Sequence, residues 1–291
     1  MSARRLRLGG FGRTGGTRTV CLGRGASAWT LGALALFLAI IAATFLGPLL
    51  ADPDPNALDL GMALREPAAE HPLGTDQLGR DQLARLLIGG RYSLAIAAVG
   101  TVGIIALGLV VGAVAGYYGG RLDLLVSALT NTLLALPSLL LTLAILGTVG
   151  PGTGGLLLAL IGAGWVGHAR LFRAATLTLR EQPYIEAARA LGAGGPRILL
   201  RHLLPNLLPT VAVLATLDFG ALLLTVSSLS FLGLGVQPPT ADWGAMLNEG
   251  RPFFGQAPFL SLAPGLCITA VALLSNLLGD ALRDLVDRAR T

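Results

Sequence analysis

The sequence predicts an all-α integral membrane protein with six transmembrane helices and both termini cytoplasmic, on three observations. The 291 residues are 53% hydrophobic and only 13% charged, with a mean hydropathy of +0.71, too little charge to cover a soluble domain of that size. The apolar residues come in unbroken runs close to the roughly 20 residues a helix needs to cross the hydrocarbon core. Arginine is also biased to alternate loops, as the positive-inside rule requires.

Residues 1–28 form a basic tail with Arg4, Arg5, Arg7, Arg13, Arg18 and Arg24 and no acid. Residues 29–50 are uncharged and longer than the apolar part of a signal peptide, and no Ala-x-Ala cleavage site is evident, so they are expected to be a retained first helix. Residues 51–91 are an extracytoplasmic loop in which Asp76 to Arg91 is expected to form an amphipathic helix on the outer surface, leading into span two. A second span covers Tyr92 to Tyr118. Within it Gly108, Gly112 and Gly116 share one face, where small residues let helices approach closely in lipid; with 40 glycines in the chain, chance is the alternative.

The charge-free stretch from Leu124 to Gly167 is too long for one crossing. The turn signals of Gly150 to Gly155 divide it into spans three and four. Span five is expected from about Pro205 to Leu234 and span six from about Pro258 to Gly279. Residues 92–280 are then a five-helix core and 281–291 a cytoplasmic tail.

With the N-terminus inside, the inner segments hold sixteen arginines: the six of the tail, Arg121, Arg170, Arg173, Arg180, Arg189, Arg197, Arg201, Arg283, Arg288 and Arg290. The outer loops hold five: Arg65, Arg80, Arg85, Arg91 and Arg251. The net charge of +5 therefore reads as topology and not as a nucleic-acid surface.

Several chemistries are excluded early. The chain has no lysine, so it holds neither a Walker A loop nor a Schiff-base residue. Cys21 and Cys267 stand far apart outside any CxxC, and His71, His168 and His202 are scattered without ligand spacing, so neither a disulfide nor a catalytic metal is expected. Gly162 to Gly167 matches GxGxxG, but no strand precedes it and it lies inside an apolar span. Asp218 is the one ionisable residue inside span five, about 18 Å along the helix from Asn206. An intramembrane carboxylate is costly; this one either lines a pathway and meets a cationic group, or faces a polar group on a neighbouring helix.

The segment 180–206, REQPYIEAARALGAGGPRILLRHLLPN, is too charged to cross the membrane. It reads as two short helices. Pro183 opens the first, Gly192 stops it, Pro196 opens the second, and Pro205 marks the entry to span five. Glu186 suits the positive end of the first helix, and Ala187, Ala188 and Ala190 give that helix a narrow, smooth surface.

Glu186-Ala187-Ala188, then Gly192, then His202-x-Leu204-Pro205 resembles the EAA loop of ATP-binding-cassette importer permeases. HPLGTDQLGRDQLARLLIGGRYSL (His71 to Leu94), LALPSLLL (Leu134 to Leu141), LSFLGLGVQPPTADWGAML (Leu229 to Leu247) and NLLGDALRDLVD (Asn276 to Asp287) narrow the resemblance to the C-type permease subunit of the dipeptide, oligopeptide and nickel importers. It covers roughly His71 to Asp287. Two departures stand out: the wider EAA pattern has Ile at the place of His202, and relatives often carry an acid near Thr225 and Val226, where this chain has none.

The resemblance implies a non-enzymatic subunit of a plasma-membrane importer for peptides or a related small solute, a nickel complex among them. Its implied partners are a homologous B-type permease, two cytoplasmic ATPases, an extracytoplasmic solute-binding protein and membrane lipid, with no nucleic acid. ATP and Mg would be used by the ATPases, and this chain would bind no cofactor. Glu186, Ala187, Ala188, Gly192 and Pro205 would couple to an ATPase, and Asp218 is the candidate pathway residue. Asp242 and Trp243, in the polar and aromatic outer loop 235–255, are candidate contacts for the binding protein. A secondary transporter should carry more intramembrane charge and internal repeats. An intramembrane aspartyl protease needs a second carboxylate facing Asp218, and the spans offer none.

Overall fold

The computed structural model describes residues 25–50 and 54–289. The basic tail up to Arg24, with Cys21, lies outside the described residues, as does Arg290. Ten helical segments order the described chain: α1 (Gly25–Leu50), α2 (Gln82–Tyr118), α3 (Gly120–Leu134), α4 (Ser138–Val149), α5 (Thr153–Arg180), α6 (Pro183–Ala190), α7 (Gly195–Ile198), α8 (Leu204–Phe231), α9 (Trp243–Gly250) and α10 (Phe259–Ala289). No strand occurs among the described residues. In lipid every backbone N–H and C=O must find its partner within the segment, so helices are the natural solution.

Five helical stretches are long and apolar enough to cross a membrane, and the bent pair α3–α4 makes a sixth. Their large side chains point outward as often as inward. Trp29, Leu31, Leu36 and Leu38 on α1 and Leu124, Leu125, Leu139 and Leu140 on α3 and α4 are all exposed, as a surface solvated by lipid permits.

α2 is the axis of the fold. It packs along α5 and α8 and also touches α1, α3 and α9. The glycine face is what brings α5 so close. A Cβ on Gly108 would stand 2.5 Å from His168 Cβ, one on Gly112 would overlap the Ala169 carbonyl oxygen, and one on Gly116 would stand 2.8 Å from the Arg173 carbonyl oxygen. Gly164, from the GxGxxG match, meets Ile104 of α2 in the same interface. These glycines are packing residues, and no dinucleotide site exists there.

Four spans depart from the expected outline, three of them for a local reason. The segment read as span three is broken, with α3 and α4 meeting at 94°. Pro137 cannot continue a helix and restricts Leu136 before it, leaving arms of about 22 and 18 Å. The helix expected to lie on the outer surface at Asp76 to Arg91 is instead the start of α2. It opens at Gln82 with Asp81 as its cap, the Asp81 carboxylate accepting from Ala84 N–H at 2.7 Å, and its first turns are buried.

The second short helix of the 180–206 loop is likewise continuous with span five. α7 passes into α8 through a π-turn at Leu199–Leu203, in which Leu204 N–H reaches the Leu199 carbonyl. Pro205 lacks the donor that Arg201's carbonyl would take and its ring crowds that carbonyl; a wider turn relieves both. Asn206 Nδ2 donates to the His202 carbonyl at 2.6 Å. At the C-terminus, α10 runs past Gly279 and includes most of the segment read as a separate tail.

The α2–α5 contact leaves no room for a side chain. Gly112→Leu is expected to cost about 3 kcal/mol through overpacking, read as a lowered melting temperature of the purified chain. Gly147→Ala, at a position with open space around it, is expected to leave that temperature nearly unchanged.

Candidate functional site

The 180–206 loop folds as a small unit with its own core. Ile185, Ile198 and Leu203 are fully buried and pack with Tyr117, Leu179, Ala188, Ala193 and Leu199. α6 begins with Pro183 behind an extended Gln182. It ends in a Schellman turn: Gly192 N–H donates to the Arg189 carbonyl at 2.9 Å and Ala193 N–H to the Ala188 carbonyl at 3.0 Å. Gly192 itself sits at φ +81°, a left-handed conformation that costs a residue with a Cβ about 1–2 kcal/mol.

One face of α6 is thereby anchored and the other left bare. Glu186, Ala187 and Ala190 are exposed, and Leu191 at the helix end is 89% exposed. An apolar side chain that open, beside an acid and two alanines, marks a contact surface. Pro205 does not join this surface. It stands at the start of α8, where it shapes the π-turn.

Sequence reasoning missed how the loop is tied to the core. Arg180 Nη1 donates to the Gly116 carbonyl at 2.9 Å. The Arg189 guanidinium lies 5.6 Å over the ring of Tyr117, a favourable cation–π arrangement. Gly195 packs against Tyr117 and Tyr118. The loop therefore grips the inner end of α2, and the signal available in sequence was Ile185, Ile198 and Leu203 standing apolar in a charged segment.

On the outer side two of the motif segments meet. Arg80 Nε donates to Asp76 Oδ2 at 2.6 Å, and both Arg80 and Arg85 reach Glu249 Oε2, at 3.1 and 2.8 Å. Arg85 is 1% exposed and also lies 3.4 Å from Asp76. Gln82 donates to the Leu260 carbonyl at 3.1 Å, and His71 Nδ1 lies 2.8 Å from Asp81 Oδ2. Two arginines facing two carboxylates, buried but for the 28%-exposed Glu249, tie α2 to α9, and Gln82 ties α2 to the start of α10. Breaking one partner of such a cluster leaves a buried charge unpaired, which is what makes it rigid.

Asp242 and Trp243 require correction as candidate outer contacts, since both are 0% exposed. Trp243 Nε1 donates to the Leu86 carbonyl at 2.9 Å and its backbone N–H to Ser93 Oγ at 3.0 Å. Asp242 Oδ1 caps α9, accepting from Gly244 and Ala245. An aromatic and an acid read as a surface pair are in fact the plug between α2, α8 and α9. Burial pushes the Asp242 carboxyl above the ordinary carboxylate range, opposed by the N–H groups of Ala245 and Gly244.

Within the membrane, Asp218 meets His168. His168 Nε2 lies 2.6 Å from Asp218 Oδ2 and Nδ1 lies 3.2 Å from the Gly164 carbonyl. The side chains are 19% and 30% exposed, so the carboxylate both faces a neighbouring helix and opens to its surroundings. Nearer the inner end, Arg173 is hydrogen-bonded through both Nε and Nη2 to the two Asp123 oxygens, joining α5 to α3. Among the described residues no group of three His, Cys, Asp or Glu could hold a metal ion.

The raised Asp242 carboxyl fixes a sign. It keeps its proton to higher pH folded than unfolded, so its effect on stability is most favourable below the ordinary carboxylate range of about 4 and worsens as pH rises through the folded value. Asp242→Asn keeps the cap and is expected to raise the melting temperature at pH 7, with the gain shrinking as pH falls toward 4.

Against known proteins, residues 108–291 match the family model described as binding-protein-dependent transport system inner membrane component. The nickel transport system permease protein of Escherichia coli strain K12 is 39% identical over 80% of this chain and 84% of its own. The dipeptide transport system permease protein of Alkalihalophilus pseudofirmus is 42% identical over 77% and 74%. The glutathione transport system permease protein of Pectobacterium atrosepticum is 40% identical over 80% and 77%. Among solved structures, a methionine ABC transporter in inward-facing conformations aligns with a TM-score of 0.53 at 25% identity, covering 71% of this chain and 96% of that one.

Proposed function

The chain belongs to the binding-protein-dependent transport system inner membrane component family, and on that premise we propose how it works as the permease subunit of an importer carrying peptides or a related small solute inward. Nickel, dipeptides and glutathione are named for relatives of similar identity, so a nickel complex belongs to the same solute range. Its partners would be a homologous permease, two cytoplasmic ATPases that bind ATP and Mg, and an extracytoplasmic binding protein. Hydrolysis would belong to the ATPases.

A single feature carries the coupling half of this proposal: α6, bare on one face and anchored on the other by a core of its own. Glu186, Ala187 and Ala190, with the exposed Leu191 beside them, would enter a groove on an ATPase, while Ala188, expected at the same contact, packs into the loop's own core and would support that face from behind. Gly192 would hold the shape of the helix end, and Pro205 would set the π-turn that hands motion to α8. Closure of the ATPases on ATP would displace α6, and Arg180, Arg189 and Tyr117 would pass that displacement to the inner end of α2. An element with two positions biased by a partner's ligand is sufficient for such switching.

Asp218 would face the pathway. On the outer side, with Asp242 and Trp243 buried, contact with a binding protein would fall to exposed neighbours such as Phe254 and Gln237.

Affinity capture of the tagged chain from its native membrane is expected to recover a second permease and two Walker-motif ATPases. Recovery of the chain alone, in conditions that hold other such complexes together, overturns the proposal. Glu186→Arg is expected to cut ATPase recovery at least about tenfold, the loss of a charged contact worth roughly 1.4 kcal/mol. Gly192→Val, strained by about 1–2 kcal/mol at its left-handed position, is expected to leave insertion intact while ATP hydrolysis persists and uptake is lost. Wild-type uptake by that variant would remove Gly192 from the coupling role.

A further inference from the structure

The His168–Asp218 pair has a protonation state that its geometry dictates. His168 Nδ1 faces the Gly164 carbonyl at 3.2 Å, and a carbonyl only accepts, so Nδ1 carries a proton. Nε2 faces Asp218 Oδ2 at 2.6 Å. A bare ring nitrogen and a carboxylate oxygen are both acceptors and would repel, so a second proton lies between them. The pair is then an imidazolium against a carboxylate, or the same two groups with the proton shifted, and its net charge is zero.

Its place is mid-membrane, with His168 about 22 Å from the outer end of α5 and 18 Å from the inner end. α5 and α8 pack chiefly on other helices, α5 on α2 and α8 on α10 and α2. One apolar cluster holding Leu156 and Val226 lies to the outer side of the pair, and another holding Phe172 and Leu207 to the inner side. The pair is the polar tie between the two arms of the coupling loop, and it is left 19% and 30% exposed. Outward from Asp218 along the same side of α8 come Ala221, Thr225 and Ser228, all small, with Ala221 and Ser228 exposed and the two hydroxyls donating to the Ala221 and Leu224 carbonyls. The stripe presents no bulky side chain, so it leaves Asp218 open toward the outer side.

We propose that Asp218 is the point at which the pathway binds a cationic group of the solute, a primary ammonium, and that His168 is the counter-ion that holds the site neutral until the solute arrives. The proposal rests on the pathway placement of Asp218 given above. The ammonium takes the place of the imidazolium on the carboxylate; the Nε2–H bond breaks, its proton passes to water, and His168 remains neutral with its Nδ1–H on Gly164. The site is neutral before and after the exchange, so no uncompensated charge is left in a low-dielectric setting. A tie that only held α5 to α8 would gain nothing from its partial exposure.

The two roles differ in sign. The permease pair, ATPases and binding protein are reconstituted in liposomes, and ATP-driven uptake of radiolabelled alanyl-alanine is followed as KM and kcat. Asp218→Asn, which removes the charge, is expected to raise KM about tenfold. His168→Gln, which removes the competing cation, is expected to lower KM. Asp218→Glu keeps the charge one methylene further out and is expected to raise KM less than Asp218→Asn. Shifts in the same direction for Asp218→Asn and His168→Gln, or equal losses in Asp218→Glu and Asp218→Asn, assign the pair to packing and overturn the proposal alone. No ATP-driven uptake by the parent complex overturns the peptide-import reading and this proposal with it.

Discussion

The contact of α2 with α5 is the constraint from which the rest of the molecule follows. In lipid, apolar side chains gain little by leaving the solvent, so helices associate where their backbones can come close. Gly108, Gly112 and Gly116 provide that approach on α2, and Ala169 with the backbone at Arg173 receives it on α5. Once α5 is seated, the position of His168 at mid-membrane and the exit of the chain toward α6 are both determined. α8 then returns along another side of α2, so one central helix indexes both arms of the coupling loop.

The two ends of that axis are held differently. The outer end of α2 is held by a cluster of Asp76, Arg80, Arg85 and Glu249, buried but for Glu249, and by the buried Trp243. The inner end is packed on α5 through Gly112 and Gly116 and on the loop core through Tyr117, and the polar attachments of the loop to it are the Arg180 contact with the Gly116 carbonyl and the Arg189–Tyr117 stacking. The outer cluster ties α2 to α9 and Gln82 ties α2 to the start of α10, and under the proposed coupling the loop would move against the inner end through its polar attachments.

Proline decides where helices yield. Pro137 splits the third span into arms at 94°, and Pro205 is matched by a π-turn that keeps α7 and α8 continuous. The same residue type breaks one span and only widens another. At Pro137 the Leu133 carbonyl is taken by the Leu136 N–H in a tightened turn, whereas at Pro205 the helix widens and the Leu204 N–H reaches the Leu199 carbonyl.

Much was legible in the sequence alone: the membrane class, the number of crossings counting the bent pair as one, the glycine face and the 180–206 loop with its Pro183 start and Gly192 stop. All of these depend on properties local to a segment, namely the transfer energy of some twenty residues, the charge of a short loop, and the backbone freedom of glycine or its loss in proline. Tertiary structure alone decided the environment of each charge. Arg85 finds Glu249 across 164 positions and His168 finds Asp218 across 50, while Asp242 and Trp243, polar and amphipathic in sequence, are sealed inside. A residue's type sets its wish for a partner or for solvent, but which of these it obtains depends on helices distant in the chain, and only their packing brings the partner within hydrogen-bond reach.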